Sequence, residues 1–443
     1  MKRRIHHAVA ALLLSLAGST HAADLQLPYL KVLPDAAAAR AALAGAPQVQ
    51  VAQQEREYSE ARARQQSDGA HEWIISSTMQ QRELTAGAKY HEEDISLSRS
   101  FRWLGKAGMD RSLGQKMTET AGFAFEDAWH EAGRDLLGQW FDWLRASSEA
   151  RLLTEQLALF EAQVTATEKR VQAGEAPRIE QQLARAELAR AQAVQTRAQQ
   201  NADLLGINLR SAFPQLQLHL PAELDTPAAT TQDDEFWIRM VVDNNHEIEL
   251  TDSAAEVSKL AARRAQRDRI ADPSIGVRYG REFDAQERIV GLTFSIPLPG
   301  AVRQNAYAAA QAEARRAHRQ AEQVRLNVER DARADVLTIH SNFKQWQLLS
   351  GLAEQARANA STVAHAYTLG EYGLSETLAA QRQALDSALA AQAAQLDALQ
   401  AQARLWLDAH RLWSLEHTHD DHDHDQETDV LRDQQPAGLR TYP

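Results

Sequence analysis

ADPSIGVRYGREFDAQERIVGLTFSIPLPGAVR, residues 271–303, carries the pattern on which the rest of the chain turns. Ile275, Val277 and Tyr279 alternate with Gly276, Arg278 and Gly280. A polar loop at 282–286 follows, and Val290, Leu292, Phe294 and Ile296 then alternate with Gly291, Thr293 and Ser295. Alternation with period two describes two β-strands, each dry on one face only. Beyond Pro297 and Pro299 the pattern changes to an Ala/Gln/Arg/Glu-rich segment of about 70 residues, against a usual helix of roughly 11 to 12. A β-hairpin thus leads into an exceptionally long helix.

The first half of the chain has the same order. A helix is expected at about 35–66, followed by strands at about 72–84 and 92–103. Trp73, Ile75 and Met79 alternate with Ile74, Ser76 and Thr78 in one of these strands, and Ile95, Leu97, Phe101 and Trp103 with Ser96, Ser98 and Ser100 in the other. A long helix-forming stretch then runs to about 170, breaks at Ala173-Gly174-Glu175 and returns over 178–210. The second half repeats this with a helix at 235–269, strands at 273–283 and 288–297, and a long helix from 301 to about 368. A break at Leu369-Gly370-Glu371 and a returning helix to about 415 complete it. Phe101–Gly105 matches Ile296–Gly300, Gly174-Glu175 matches Gly370-Glu371, and Ala46-Pro47-Gln48-Val49 matches Asn245-His246-Glu247-Ile248. The three offsets agree to within a few residues, at roughly 195 to 199, which is the mark of an internal duplication. The chain divides into a signal peptide (1–22), a first repeat (23–213), an irregular Pro-containing linker (214–234), a second repeat (235–415) and a His/Asp-rich tail (416–443).

Lys2-Arg3-Arg4, the apolar run at 9–17 and the small residues Thr20 and Ala22 have the layout of a secretory signal, with cleavage expected after Ala22 or Ala23. No later run approaches the roughly 18 to 20 apolar residues of a spanning helix, so membrane contact must come from strands or a surface helix. The 443 residues include no cysteine, which excludes disulfides, thiolate catalysis, Cys-based metal sites and an N-terminal lipid anchor. A formal net charge of -12 argues against nucleic acid, whose phosphates call for clustered Lys and Arg. In the long helices apolar residues such as Val328, Val336, Ile339, Phe343 and Trp346 fall mostly at steps of three or four with Ala between them, a narrow seam suited to close helix pairing. Trp140 and Trp143 read as seam residues. Trp73 and Trp103, at strand ends, suit an interfacial girdle or an ordinary core.

From the glycine at 300 to that at 370 a continuous helix reaches about 105 Å, and the interval from 105 to 174 is nearly the same. Two matched rods beside two matched hairpins do not make a compact globule. The expected fold is mainly α with a membrane β-barrel, because only closed barrels or helices span lipid and these strands have roughly the 9 to 11 residues required. Four strands are too few to close a barrel, so the chain must oligomerise. The alternative is a pair of solvent-exposed hairpins on a soluble periplasmic coiled-coil protein that binds metal through its tail.

Three stretches in this order resemble the TolC-like outer-membrane efflux factor family. They are Asp272-Pro-Ser-Ile-Gly-Val-Arg-Tyr279, Val290-Gly-Leu-Thr-Phe-Ser-Ile-Pro-Leu-Pro-Gly300 and Tyr367-Thr-Leu-Gly-Glu-Tyr-Gly-Leu-Ser-Glu-Thr-Leu378. The resemblance covers nearly all of the mature chain. It implies a homotrimer in the outer membrane of a Gram-negative bacterium, with four strands per subunit in a twelve-stranded barrel and antiparallel coiled-coil helices forming a periplasmic tunnel. It further implies a periplasmic adaptor, an inner-membrane pump of the resistance-nodulation-division type and no catalysis. Asn245-His246-Glu247-Ile248 departs from the family's usual Asn-Pro-Glu-Leu, which leaves the start of that helix open.

The turns at Gly174, Glu175, Gly370 and Glu371 fall at the far ends of the rods, where the resemblance places the tunnel entrance and the adaptor contact. Glu180 and Glu376 each stand six residues after a glycine. They suit a carboxylate ring selecting cations, or first-turn residues complementing a helix dipole. In the tail, His417, His419, His422 and His424 alternate with Asp420, Asp421, Asp423 and Asp425, ligands suited to loose capture of a divalent metal, or simply a solvated charged end. Its start also fits the His-x-His-x-Asp-His pattern of metallo-β-lactamase-like hydrolases but lacks strands around it. No cofactor for chemistry is expected. The His-rich tail and the absence of a lipid anchor resemble the cobalt-zinc-cadmium branch, so heavy-metal cations are the expected cargo, with drugs or a secreted protein as the alternative.

Overall fold

The computed structural model describes residues 30–69 and 71–415. The signal peptide and the tail residues from His417 to Asp425 lie outside them.

The chain folds in the order α1 (Ala36–Ala44), α2 (Pro47–Asp68), β1 (Trp73–Glu83), β2 (Lys89–Ser100), α3 (Lys106–Gln172) and α4 (Arg178–Ala212). It continues through α5 (Asp234–Asp243), α6 (His246–Asp268), β3 (Ser274–Glu282), β4 (Glu287–Ser295), α7 (Ala301–Thr368) and α8 (Leu374–Asp408). α3 and α7 have 67 and 68 residues, about 100 Å each. The first part of α7 packs on α6, where Arg325 pairs with Asp252 at 2.9 Å. Its later part packs on α8, where Asn342 donates to the Asp397 carbonyl at 3.2 Å. α3 likewise packs on α2 and α6, and on α4 and α8.

The sequence-based boundaries need four corrections. The helix expected over 35–66 breaks at Gly45–Ala46, because Pro47 has no amide hydrogen and fits the first helical position of α2. The helix expected over 235–269 breaks at the matching place. There the Asn245 side chain caps α6 by accepting from the Ile248 amide at 3.0 Å, so the helix begins at His246 despite the absence of proline. β2 runs over Lys89–Ser100, three residues earlier than expected, since its polar start pairs with β1 as far as Lys89 opposite Glu83. Hydrogen bonding continues where apolar alternation has stopped. The last helix ends at Asp408, well before 415: His410 takes a left-handed φ of 56° while the Arg411 amide bonds back to the Trp406 carbonyl at 2.8 Å.

The largest core lies near the middle of the rods. Leu136, Leu137, Trp140, Phe141 and Leu144 of α3 meet Leu396, Leu399 and Trp406 of α8 and Val336 and Ile339 of α7, with α1 and α5 covering them. The buried Trp140 donates its indole hydrogen to the Val32 carbonyl at 2.7 Å. Where the sheet joins the helices, Lys106 is fully buried. Its ammonium donates to Asp272 at 2.8 Å and to the Ile270 carbonyl at 2.7 Å, while Arg264 and Arg102 hold buried Asp110 at 2.6 and 3.1 Å. Charges this enclosed persist only when paired, and here the pairing fixes both hairpins to the start of α3.

Candidate functional site

The four strands form one antiparallel sheet in the order β1-β2-β3-β4, so the two hairpins meet along β2 and β3. Opposed residues share a face. One row joins Ile75, Leu97, Val277 and Leu292, and the row on one side joins Trp73, Arg99, Ile275 and Phe294. On the other side Ser77, Ile95, Tyr279 and Val290 align, and beyond them the row turns to Met79, Glu93, Arg281 and Arg288. These first three rows span about 14 Å along the strands, shorter than the roughly 25 Å belt of a lipid-facing barrel wall. It is bare: Leu292 is 84% exposed and Phe294 68%. Trp73 and Trp103 are exposed as well, at the end of the sheet nearest the helices, and are not core residues.

The opposite face is polar and close-fitting. It carries Ser76, Ser96, Ser98, Gly276, Gly291 and Thr293, with Ile74 and Ile289 as apolar exceptions. A side chain at Gly276 would fall 2.7 Å from Thr293 Oγ1 and 2.9 Å from the Leu97 carbonyl, so only hydrogen fits there. Arg82 bridges Glu92 at 2.5 Å and Glu282 at 2.9 Å, and Arg278 pairs with Asp94, all on this face. Among the described residues, β1 and β4 each leave one edge unpaired.

At the far ends of the rods, Gly174 and Gly370 both have φ of 79°. The Glu175 amide bonds the Arg170 carbonyl at 2.8 Å, and the Glu371 amide bonds that of Ala366 at 3.0 Å. Each glycine therefore ends its helix in the same left-handed stop. Glu180 and Glu376 occupy the third position of α4 and α8, each exposed or half-exposed in a first turn. Their surroundings differ. Tyr367, buried at the end of α7, donates to Glu180 at 2.9 Å beneath the Arg170 guanidinium, and burial together with that carboxylate pushes its phenol pKa up. Glu376 turns back over Gly373 at the start of its own helix.

Near mid-rod is a group that sequence inspection missed. His130 of α3, His246 of α6 and His410 stack around one another, with ring centroids 4.3 Å apart for His246 and His410 and 5.0 Å for His130 and His410. Burial, and then the two neighbouring imidazoles, push His410 down to about 3, so its ring is neutral at neutral pH. Beneath it lies Asp408. Burial alone would raise this carboxyl, but contact with His130 and the charges of Arg134 and Arg404 hold it well below the usual range. Arg134 and Arg404 donate to it at 2.8 and 2.7 Å. The three histidines come from distant segments, so no local spacing reveals them. The one signal was the histidine at 246 in place of proline.

By sequence the chain matches no protein-family model and no curated protein. Solved structures match by shape. The outer membrane protein VceC of Vibrio cholerae aligns with a TM-score of 0.72 at 14% identity, over 84% of this chain and 95% of its own. The outer-membrane channel OprN gives 0.72 at 15%, over 86% and 91%. CusC, whose structures concern folding and transmembrane channel formation, gives 0.71 at 12%, over 84% and 91%. Mostly helical, with four antiparallel strands joined to a long helical body, the chain has the fold of these outer-membrane channels.

Proposed function

We propose that the chain is one subunit of a trimeric exit duct in the outer membrane, passing heavy-metal cations of the cobalt, zinc and cadmium type outward without chemistry of its own. Three subunits would close a twelve-stranded barrel, with the long helices forming a tunnel through the periplasm. In this reading the far turns at Gly174, Glu175, Gly370 and Glu371 meet a periplasmic adaptor, an inner-membrane pump of the resistance-nodulation-division type supplies the energy, and Glu180 and Glu376 line the entrance.

The observation that carries the proposal is the sheet. It is bare and apolar on one face, polar and glycine-lined on the other, and open at both edges. Such a face is stable against lipid, and open edges are satisfied by neighbouring copies. The choice of metal rests on the His/Asp-rich tail. Fractionation and a deletion strain test the two parts separately. Recovery in the outer membrane as a heat-resistant trimer is expected, and recovery in the soluble periplasm would sink the duct. Deletion should sensitise cells to zinc, cobalt or cadmium. Unchanged metal tolerance with increased drug sensitivity would leave the duct standing and replace its cargo.

A further inference from the structure

α6 starts at His246, and the spacing of three places Glu249 on the same helical face. Facing them from α3 is Glu126. The Nδ1 of His246 lies 3.1 Å from Glu249 Oε2 and 3.5 Å from Glu126 Oε2. All three ligand atoms lie within 4.8 Å of one another, and all three residues are half-buried. One imidazole nitrogen therefore faces two carboxylates carried by two different helices. A divalent cation placed among them would bond all three groups at once and join α3 to α6. Zinc-class bonds of about 2.0 to 2.2 Å in a tetrahedral shell put neighbouring ligand atoms about 3.3 to 3.6 Å apart; the Glu126 oxygen already stands at that separation from His246, and the Glu249 oxygen, at 3.1 Å, needs only a small opening. The other side of that ring is enclosed. His410 packs against it edge-on, and the Nε2 of His410 is buried without a hydrogen-bond partner among the described residues. That contact limits how far the His246 ring can turn.

We propose that His246, Glu126 and Glu249 bind one divalent transition-metal cation of the zinc class, which fastens the start of α6 to the middle of α3. Imidazole with two carboxylates is a borderline-hard set, suited to zinc, cobalt(II) or nickel and poorly suited to copper(I). The site lies near mid-rod, far from both the sheet and the far turns, and does not depend on what the duct carries. It also lies close to where the His/Asp-rich segment begins in sequence, since Leu415 lines the same small cavity as His130, His246 and His410. Any test must therefore separate the two.

The full-length protein, purified in detergent and stripped with chelator, serves as the starting material, with His417, His419, His422 and His424 all changed to Ala so that the tail is silent. Zinc titrated by calorimetry should still bind at one site per chain. Cobalt(II) in its place should give the visible absorption of a four-coordinate ion. His246→Pro removes the imidazole with a residue that the first helical position accepts, as Pro47 does at the start of α2. Glu249→Gln removes one carboxylate at constant shape. Each should weaken zinc binding by about tenfold or more and abolish the cobalt spectrum. The proposal is overturned if silencing the tail removes all zinc binding, or if the tail-silent protein binds zinc as tightly with Glu249→Gln as without it. Failure of the His246 variant to fold leaves the Glu249 comparison decisive.

Discussion

His410 stands at the end of α8 as Gly174 and Gly370 stand at the ends of α3 and α7, in the same left-handed stop. For a residue with a Cβ that conformation costs about 1 to 2 kcal/mol, so backbone comfort does not explain the histidine. Its ring does, because the stop swings it into contact with His130 and His246. Two residues earlier, Asp408 is 2% exposed and holds two guanidinium groups. Removing its charge with Asp408→Asn leaves Arg404 without its carboxylate and Arg134 with Glu131 alone, which should cost about 3 kcal/mol. The low end of the range applies because Arg404 is 40% exposed and can regain water. A carboxylate held below its unfolded value stabilises the fold above about pH 4 and loses that contribution as the pH falls further. Thermal unfolding of the wild type in detergent, followed by circular dichroism, should thus drop in midpoint below pH 4. In Asp408→Asn the midpoint should start lower and fall less steeply, and parallel curves would show that Asp408 does not supply the slope.

At the scale of elements, the hairpins predict their own environment. Leu292 and Thr293 are neighbours in β4 on opposite faces, one in the bare apolar band and the other among glycines and serines. An arginine in the lipid face near the bilayer centre costs roughly 2 to 4 kcal/mol, whereas lumen positions tolerate charge. Leu292→Arg should deplete the protein from the outer membrane, while Thr293→Arg should insert normally. Equal levels of the two would contradict the assigned faces. These elements were legible because period two in short runs and a long, punctuation-poor helical stretch are strong signals. The breaks at Ala46-Pro47 and Asn244-Asn245 were harder to place within helix-forming sequence. The start of β2 at 89–91 was missed because those residues pair with β1 by backbone bonds without an apolar-polar alternation to mark them. At the far turns the glycines were legible from their repeat. The contact between Tyr367 and Glu180 was not, since it joins residues far apart in the chain.

The whole molecule is a long body ending in a sheet too narrow to close on itself. If copies complete it, β1 of one subunit lies beside β4 of the next. The absence of native cysteine makes this simple to read. Cysteines introduced together at Ser76 or Thr78 in β1 and at Gly291 or Thr293 in β4 should cross-link by oxidation into species up to three chains and no larger. Monomer at every combination would argue against a closed ring. Whole-molecule form was legible from the near-equal intervals between anchors, while the mid-rod histidines, Asp408 and the buried Lys106 were not, because each depends on segments that only folding brings together. The rows that cross all four strands in register also put the sheet under a rule of parity. One added residue in any strand, unless a bulge absorbs it, would exchange its apolar and polar sides, whereas two would only move it by a rung. Length change in this sheet is therefore confined to the loops, to bulges or to even numbers, and a single-residue deletion there is a change of face rather than of size.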